Sequence, residues 1–404
     1  MCRAAILCAV LLGVASPSLA CVVGDLGQPP QVVITAHPPD LCGGPSFVGS
    51  IQGTVANVNT DSAVVVLYAE TDRLYIQPWG GSQTEVSCSP PGIFQNSTRG
   101  GHHYVAILAR RSWSPPNIMC SVPPVGGNIL AVARAPERTV TFAGLTWEVK
   151  SSEACRIDPG PNYWSDSTSN VWVDGQGQLH LKITHRQVGQ EVRWFCPEVY
   201  TRETYGYGQY WFQLGSPAQE FDRNVVTGLF AYYCDPACTP TICGHSEIDV
   251  ELSRWGVSGG PNLQYAVQPF GSCLQERDTM ACPGAESLHR FWWTGNMIDF
   301  RSWCGISPLD SLIAARQYAD TTCIPIPRGE NARINLWLFN GAPPSDGQDV
   351  ELVVEDFWFV PTTDAVDDQG SPPPHIRLLE QNVPNPFGPA TTIAFRVPQP
   401  GMVS

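Results

Sequence analysis

Five consecutive residues, Glu247-Ile248-Asp249-Val250-Glu251, hold the densest chemistry in the chain. On a β-strand successive side chains point to opposite faces, so the three carboxylates share one face while Ile248, Val250 and Leu252 enter the other. Three like charges in a row repel unless some are protonated, hydrogen-bonded or solvated, which makes a working site worth considering. Paired carboxylates of this kind suit cleavage of a glycosidic bond: one attacks the anomeric carbon, and a protonated one donates to the leaving oxygen. A straight strand sets residues i and i+4 about 13 Å apart at Cα, so the outer glutamates have to lean inward. The bland alternative is a solvated acidic strand face.

The sequence around these acids reads as strands and turns. Charged residues make up 15% of the 404 residues, while Gly and Pro number 37 each, a mix suited to short strands with many connections. In the stretch 137–361, Asp174-Gly175 marks a hairpin turn between Val171-Trp172-Val173 and a run from Gln178 to Thr184. Further strand-like runs are 205–214, 225–233, 247–252, 263–268, 334–339 and 351–360. Nothing comparable supports long helices, so the expected fold class is all-β, a double-sheet sandwich or jelly roll. Residues 21–136, with alternating runs at 62–68 and 73–77, read as a smaller β-sandwich preceding it. Trp79, Tyr104 and Trp113 there could face a sugar, although packing is the commoner fate of such rings. Segment 362–374, with three consecutive prolines, reads as a linker. Residues 375–404 resemble the opening of a C-terminal sorting or Ig-like domain of secreted bacterial proteins.

The first 20 residues, with Arg3, an apolar run and Ser18-Leu19-Ala20, are expected to be a cleaved signal peptide, so the mature chain is secreted or extracellular. Cys21 directly after that site raises a lipidated, surface-attached terminus as an alternative. No other apolar stretch approaches the length of a transmembrane segment. A net charge of −14 argues against a nucleic-acid partner. Thirteen of the 15 cysteines follow the signal peptide. Export favours disulfides over metal binding, including at Cys234, Cys238 and Cys243, and the odd number leaves at least one unpaired.

Glu-Ile-Asp-Val-Glu resembles the active-site signature of glycoside hydrolase family 16, whose members share a concanavalin A-like jelly roll and cleave β-linked glucans and galactans with retention. The likeness runs from about Phe142 to Pro361 and includes Gly160-Pro161-Asn162-Tyr163-Trp164-Ser165, Tyr207-Gly208, Leu288-His289-Arg290-Phe291-Trp292-Trp293 and Asn335-Leu336-Trp337-Leu338. It implies Glu247 as nucleophile, Glu251 as general acid/base and Asp249 as the residue that orients and tunes both. The uninterrupted motif resembles lichenase-like and xyloglucan-active members, a lean towards β-glucan. Trp164, Trp255, Tyr265 and Trp293 are candidate cleft walls and Gln268 a hydrogen-bonding partner. Trp172 reads as core, and His289 as a satisfied core histidine. The cysteine-rich stretches 234–243 and 273–282 depart from the family pattern.

The expected activity is that of a retaining endo-β-glycanase working by double displacement, and the expected partner is therefore a polysaccharide, acted on by a monomer. Catalysis needs no cofactor and no metal, although a structural calcium ion is compatible with such sandwiches. A lectin-like binder and a transglycosylase are the alternatives.

Overall fold

The computed structural model describes residues 21–40, 42–43, 47–71, 73–135, 138–234, 246–269 and 271–362, together with two short strands, Leu378–Leu379 and Phe395–Arg396. The expected signal peptide, the linker, most of the C-terminal segment, Cys238 and Cys243 lie outside these residues. Among the described residues the protein is all-β, with two three-residue 3-10 turns at Ala218–Glu220 and Phe339–Gly341. Among the described residues no helix is long and apolar enough to cross a membrane.

Two large sheets dominate. The eight-stranded sheet runs in the order Thr139–Phe142, Leu145–Val149, Glu198–Thr201, Asn331–Leu338, Val225–Tyr232, Glu247–Leu252, Leu263–Val267, Gln275–Asp278. Every neighbouring pair in it is antiparallel. A nine-stranded sheet is centred on Val350–Pro361, which pairs with Leu179–Val188 on one side and Gly208–Leu214 on the other. The sheets share one apolar core, to which the first contributes Ile248, Val250, Leu252, Leu229 and Ile334 and the second Leu181, Tyr210, Phe212, Phe291 and Leu352. Fully burying a side chain of this size stabilises the fold by roughly 1.5–3 kcal/mol. Burial of Ile248, Val250 and Leu252 therefore anchors the acid strand and turns its three carboxylates to the other side.

Residues 21–135 build separate sheets. A five-stranded sheet follows the order Ile129–Ala135, His103–Arg110, Ala63–Glu70, Leu74–Gln77, Ile118–Met119, and a three-stranded sheet the order Gln31–Ala36, Gly49–Ala56, Gly92–Thr98. The strand Ala63–Glu70 does not alternate as expected. Residues 63–69 are all buried, because one face packs on Val32, Ile51 and Phe94 and the other on Ile76, Met119 and the partly buried Trp113. Tyr104 is core as well, whereas Trp79 is 71% exposed.

The cysteines largely pair: Cys21–Cys88, Cys42–Cys155, Cys273–Cys323 and Cys282–Cys304. Cys120 and Cys234 are also disulfide-bonded. The free cysteine among the described residues is Cys196, buried in the main core.

The Cys282–Cys304 bridge closes a loop of sequence separation 22 and should stabilise the fold by about 3 kcal/mol through the unfolded chain. Cys282→Ser/Cys304→Ser is expected to lose about that much in urea denaturation. A loss under about 1 kcal/mol would mean the entropic account does not apply to this loop.

Candidate active site

The acid strand pairs on both sides without a bulge. Glu247, Asp249 and Glu251 face Tyr232, Phe230 and Gly228 on one neighbour, while Asp249 and Glu251 face Ala266 and Gln264 on the other. Continued across the sheet, these registers make rows of side chains on the face away from the core. One row runs Gln264, Glu251, Gly228, Asn335, Glu198, and the next runs Ala266, Asp249, Phe230, Arg333, Tyr200, Glu148. A methyl group at Gly228 would meet Asn335 Oδ1, so Asn335 would have to shift to admit one.

All three acids are held above the usual carboxylate range, and burial is the largest cause for each. The Glu247 carboxyl is pushed up to about 7, with a hydrogen bond from Asp249 and the charges of Arg333 and Lys150 opposing burial. Glu251 is pushed up to about 8 by burial and by the charge of Glu247, against the opposing pull of Gln264 and Arg277. Asp249 lies between two acidic neighbours; burial, Glu247 and Glu251 raise it well above its ordinary value, and Gln268 hydrogen bonds to it. Asp249 is therefore the acid that stays protonated and donates to the Glu247 carboxylate.

Partners in the surrounding rows hold these groups in place. Gln264 donates from Nε2 to Glu251 Oε2 at 2.7 Å, and its Oε1 accepts from Arg277 Nε at 2.7 Å. Glu198 is buried, yet Lys150 and Arg333, each 3.0 Å away, keep it below the usual range. Asn335 Nδ2 also donates to Glu198, at 3.3 Å. Three buried polar atoms on or beside this face, Asp249 Oδ2, Asn335 Oδ1 and Trp255 Nε1, have no protein hydrogen-bond partner.

Not all of the expected wall residues face this site. Trp164, Tyr265 and Trp293 are buried in the core instead. Tyr265 pairs with Val250, which faces the core, and its hydroxyl donates to Ser302 Oγ at 2.8 Å. Trp293 donates from Nε1 to the Pro325 carbonyl, and Trp164 to the Ile157 carbonyl, with the Lys150 ammonium 4.0 Å from its ring centre. Trp255 is half-buried on a loop after the acid strand, with φ of 51°. Its ring lies edge-on to Trp337 and Phe339, 6.1 and 5.5 Å away, under the Arg277 guanidinium at 5.0 Å. Gln268 reaches Asp249. His289 is a core histidine between Ser302 and Ser287, pushed down to about 3 by burial. Trp172 is half-buried and stacks on His180 at 4.7 Å. Sequence reasoning missed Gln264, Arg277, Glu198, Arg333 and Lys150.

No protein-family model matches the chain, and no curated protein sequence matches it. Among solved structures it is similar to a Bacillus licheniformis β-glucanase, at 20% identity over 56% of this chain and 98% of that one, with a TM-score of 0.40. It is also similar to a prokaryotic β-1,3-1,4-glucanase (lichenase) derived from a mouse hindgut metagenome, at 17% identity over 56% and 99%, TM-score 0.38. A third likeness is to a Mycobacterium tuberculosis immunostimulatory antigen and pseudo β-1,3-glucanase, at 20% identity over 54% and 91%, TM-score 0.40.

The raised acids tie stability to pH. The folded chain holds the Glu251 proton up to about 8, against an ordinary value of 4.5. This contribution is full below the ordinary value and is lost as pH rises through the folded one. The melting temperature is expected to fall between about pH 5 and pH 9, less steeply in Glu251→Gln. Equal slopes in the two proteins would show that Glu251 titrates normally.

Proposed function

We propose that the chain is an exported, retaining β-glycanase of jelly-roll architecture that hydrolyses a β-linked polysaccharide, with a lean towards β-glucan. Residues 137–361 form its catalytic unit and residues 21–136 an accessory β-sandwich. What carries the reading is one observation: Glu247, Asp249 and Glu251 share one face of a strand paired without a bulge on both sides. Glu247 has Arg333 and Lys150 to favour its charge and takes a hydrogen bond from Asp249. Glu251 has the Glu247 charge to oppose its own. A site that keeps one carboxyl ionised and another protonated has the division of labour that retaining hydrolysis needs.

In the first step the Glu247 carboxylate attacks the anomeric carbon as the glycosidic bond breaks, and Glu251 gives its proton to the leaving oxygen. Water then attacks the glycosyl ester. Glu251, now ionised, takes the water's proton, and the Glu247 carboxylate leaves. Gln264, itself held by Arg277, fixes one Glu251 oxygen while the other is free for the proton. The half-buried Trp255 ring offers an apolar face for a pyranose.

Release of reducing ends from mixed-linkage glucan, xyloglucan, laminarin, agarose and carrageenan tests the reading. Wild type is expected to cleave at least one of them, and Glu247→Ala and Glu251→Gln, with unchanged circular dichroism, to lose about 10²–10⁴-fold in rate. Activity should rise as Glu247 ionises near 7 and fall as Glu251 loses its proton near 8, giving a narrow bell. Silence on every polymer, with tight binding to one, would replace the hydrolase by a lectin.

A further inference from the structure

The rows of polar side chains that carry the acids continue past Glu198 and Tyr200 to Glu148 and Lys150, and there residues 21–135 stand over the sheet. Three residues, 136–138, separate the strand Ile129–Ala135 from the first strand of the eight-stranded sheet. On the side of the Glu251 row, the Cys42–Cys155 bridge and a hydrogen bond from the Ala154 N–H to Asp40 Oδ2 at 3.1 Å tie the segment to the loop after Leu145–Val149. On the side of Glu247, Ser121 Oγ donates to the Cys234 carbonyl at 2.5 Å, just beyond Tyr232, which pairs with Glu247. Between these two attachments Arg134 pairs with Glu70 at 3.1 Å. Arg134 also interacts with Tyr200 and Glu148, and Glu70 with Lys150. The attachments thus flank the polar face on the Glu251 side and the Glu247 side, with the Arg134–Glu70 pair in electrostatic reach of Tyr200, Glu148 and Lys150.

We infer that residues 21–135 form an end wall that makes the groove blind, so that the protein receives the terminus of a polysaccharide chain and cuts at a fixed distance from it. The inference rests on the hydrolase reading and names its mode of action. Tyr200 lies three strand spacings from Asp249, by way of Phe230 and Arg333, which is about 14 Å. That distance is of the order of a short oligosaccharide. The side chains of Lys150, Arg134 and Glu70 are 18%, 22% and 25% exposed, enough to present charged donors and an acceptor to terminal hydroxyls. Glu70, His102 and His103 do bring ligand atoms within 4.8 Å of one another. The Arg134 guanidinium engages Glu70 Oε2 there, so at least that oxygen belongs to the wall.

The test is the product profile of the wild-type chain on the polymer it cleaves, followed by size-resolved chromatography and viscometry. A blind groove gives one oligosaccharide length from the earliest time points, with viscosity lagging well behind reducing-end release. A ladder of lengths with early loss of viscosity overturns the wall. Arg134→Ala and Cys42→Ser/Cys155→Ser, each with a retained melting transition, are expected to broaden the product lengths; an unchanged single length in both overturns the assignment of the wall to residues 21–135. If no polymer yields reducing ends, the hydrolase reading fails and the wall is judged by calorimetry on oligosaccharides blocked at one end or the other. Binding at least about tenfold weaker for one blocked form supports it, and equal binding or none overturns it.

Discussion

Three carboxyl groups on one buried strand face cannot all be ionised, and the arrangement of the eight-stranded sheet follows from how that repulsion is relieved. The strand itself has no freedom to move them apart. Ile248, Val250 and Leu252 are locked into the core, and a one-residue slip would exchange them for the acids. Relief has to come from protons and from neighbours on the same face. Protons go first to Asp249, which has an acid on either side, and this turns a third charge into a hydrogen-bond donor to Glu247. The remaining pair differs in what opposes burial: Arg333, Lys150 and the Asp249 hydrogen bond favour an ionised Glu247, while burial and the Glu247 charge favour a protonated Glu251 against the pull of Gln264 and Arg277.

That solution constrains residues well away from the acids. Gln264 can donate to Glu251 in one defined orientation because its carbonyl oxygen is engaged by Arg277. A side chain at Gly228 would have to displace Asn335, which leans across it to reach Glu198. Arg333 is packed between the rings of Tyr200 and Tyr232, 4.8 and 4.7 Å from their centres, so its charge is delivered at a fixed point and with less competition from water.

The sequence made the central feature legible because it depends on local parity alone. Alternation within Glu247–Leu252 separates acids from anchors without any tertiary knowledge, and the strands 63–70, 225–232, 263–267 and 350–361 lie close to the runs read from the sequence. Parity also contained an unused correction. Tyr265 and Gln268 are three residues apart, so a regular strand sends them to opposite faces, and the pair could not both line one cleft. The register shows which side each takes, with Gln264 opposite Glu251 and Tyr265 opposite Val250. Glu198, Arg333 and Lys150 were out of reach for a different reason. They stand 48 to 183 residues apart in sequence and meet through sheet order, and no spacing rule in one sequence reveals that order. Trp164 and Trp293 were misplaced because aromatic type alone does not say which layer of a two-sheet fold a ring enters, and large rings are buried more often than not.

Sheet order also brings residues 21–135 into the electrostatics of the acids. Charges alternate from Glu70 to Lys150, on to Glu198, then Arg333, and finally Glu247. Lys150 is half-buried, and its desolvation lowers its proton affinity; Glu198 and the more distant Glu70 oppose that loss. Were Lys150 neutral, Glu198 would lose one of the two cations that keep it ionised, and Glu247 would lose part of the positive field that favours its own charge. In such a buried chain a change at one end alters the proton affinity at the other through groups that never touch. A segment that contributes no carboxylate to the site can therefore still influence whether the Glu247 carboxyl is charged.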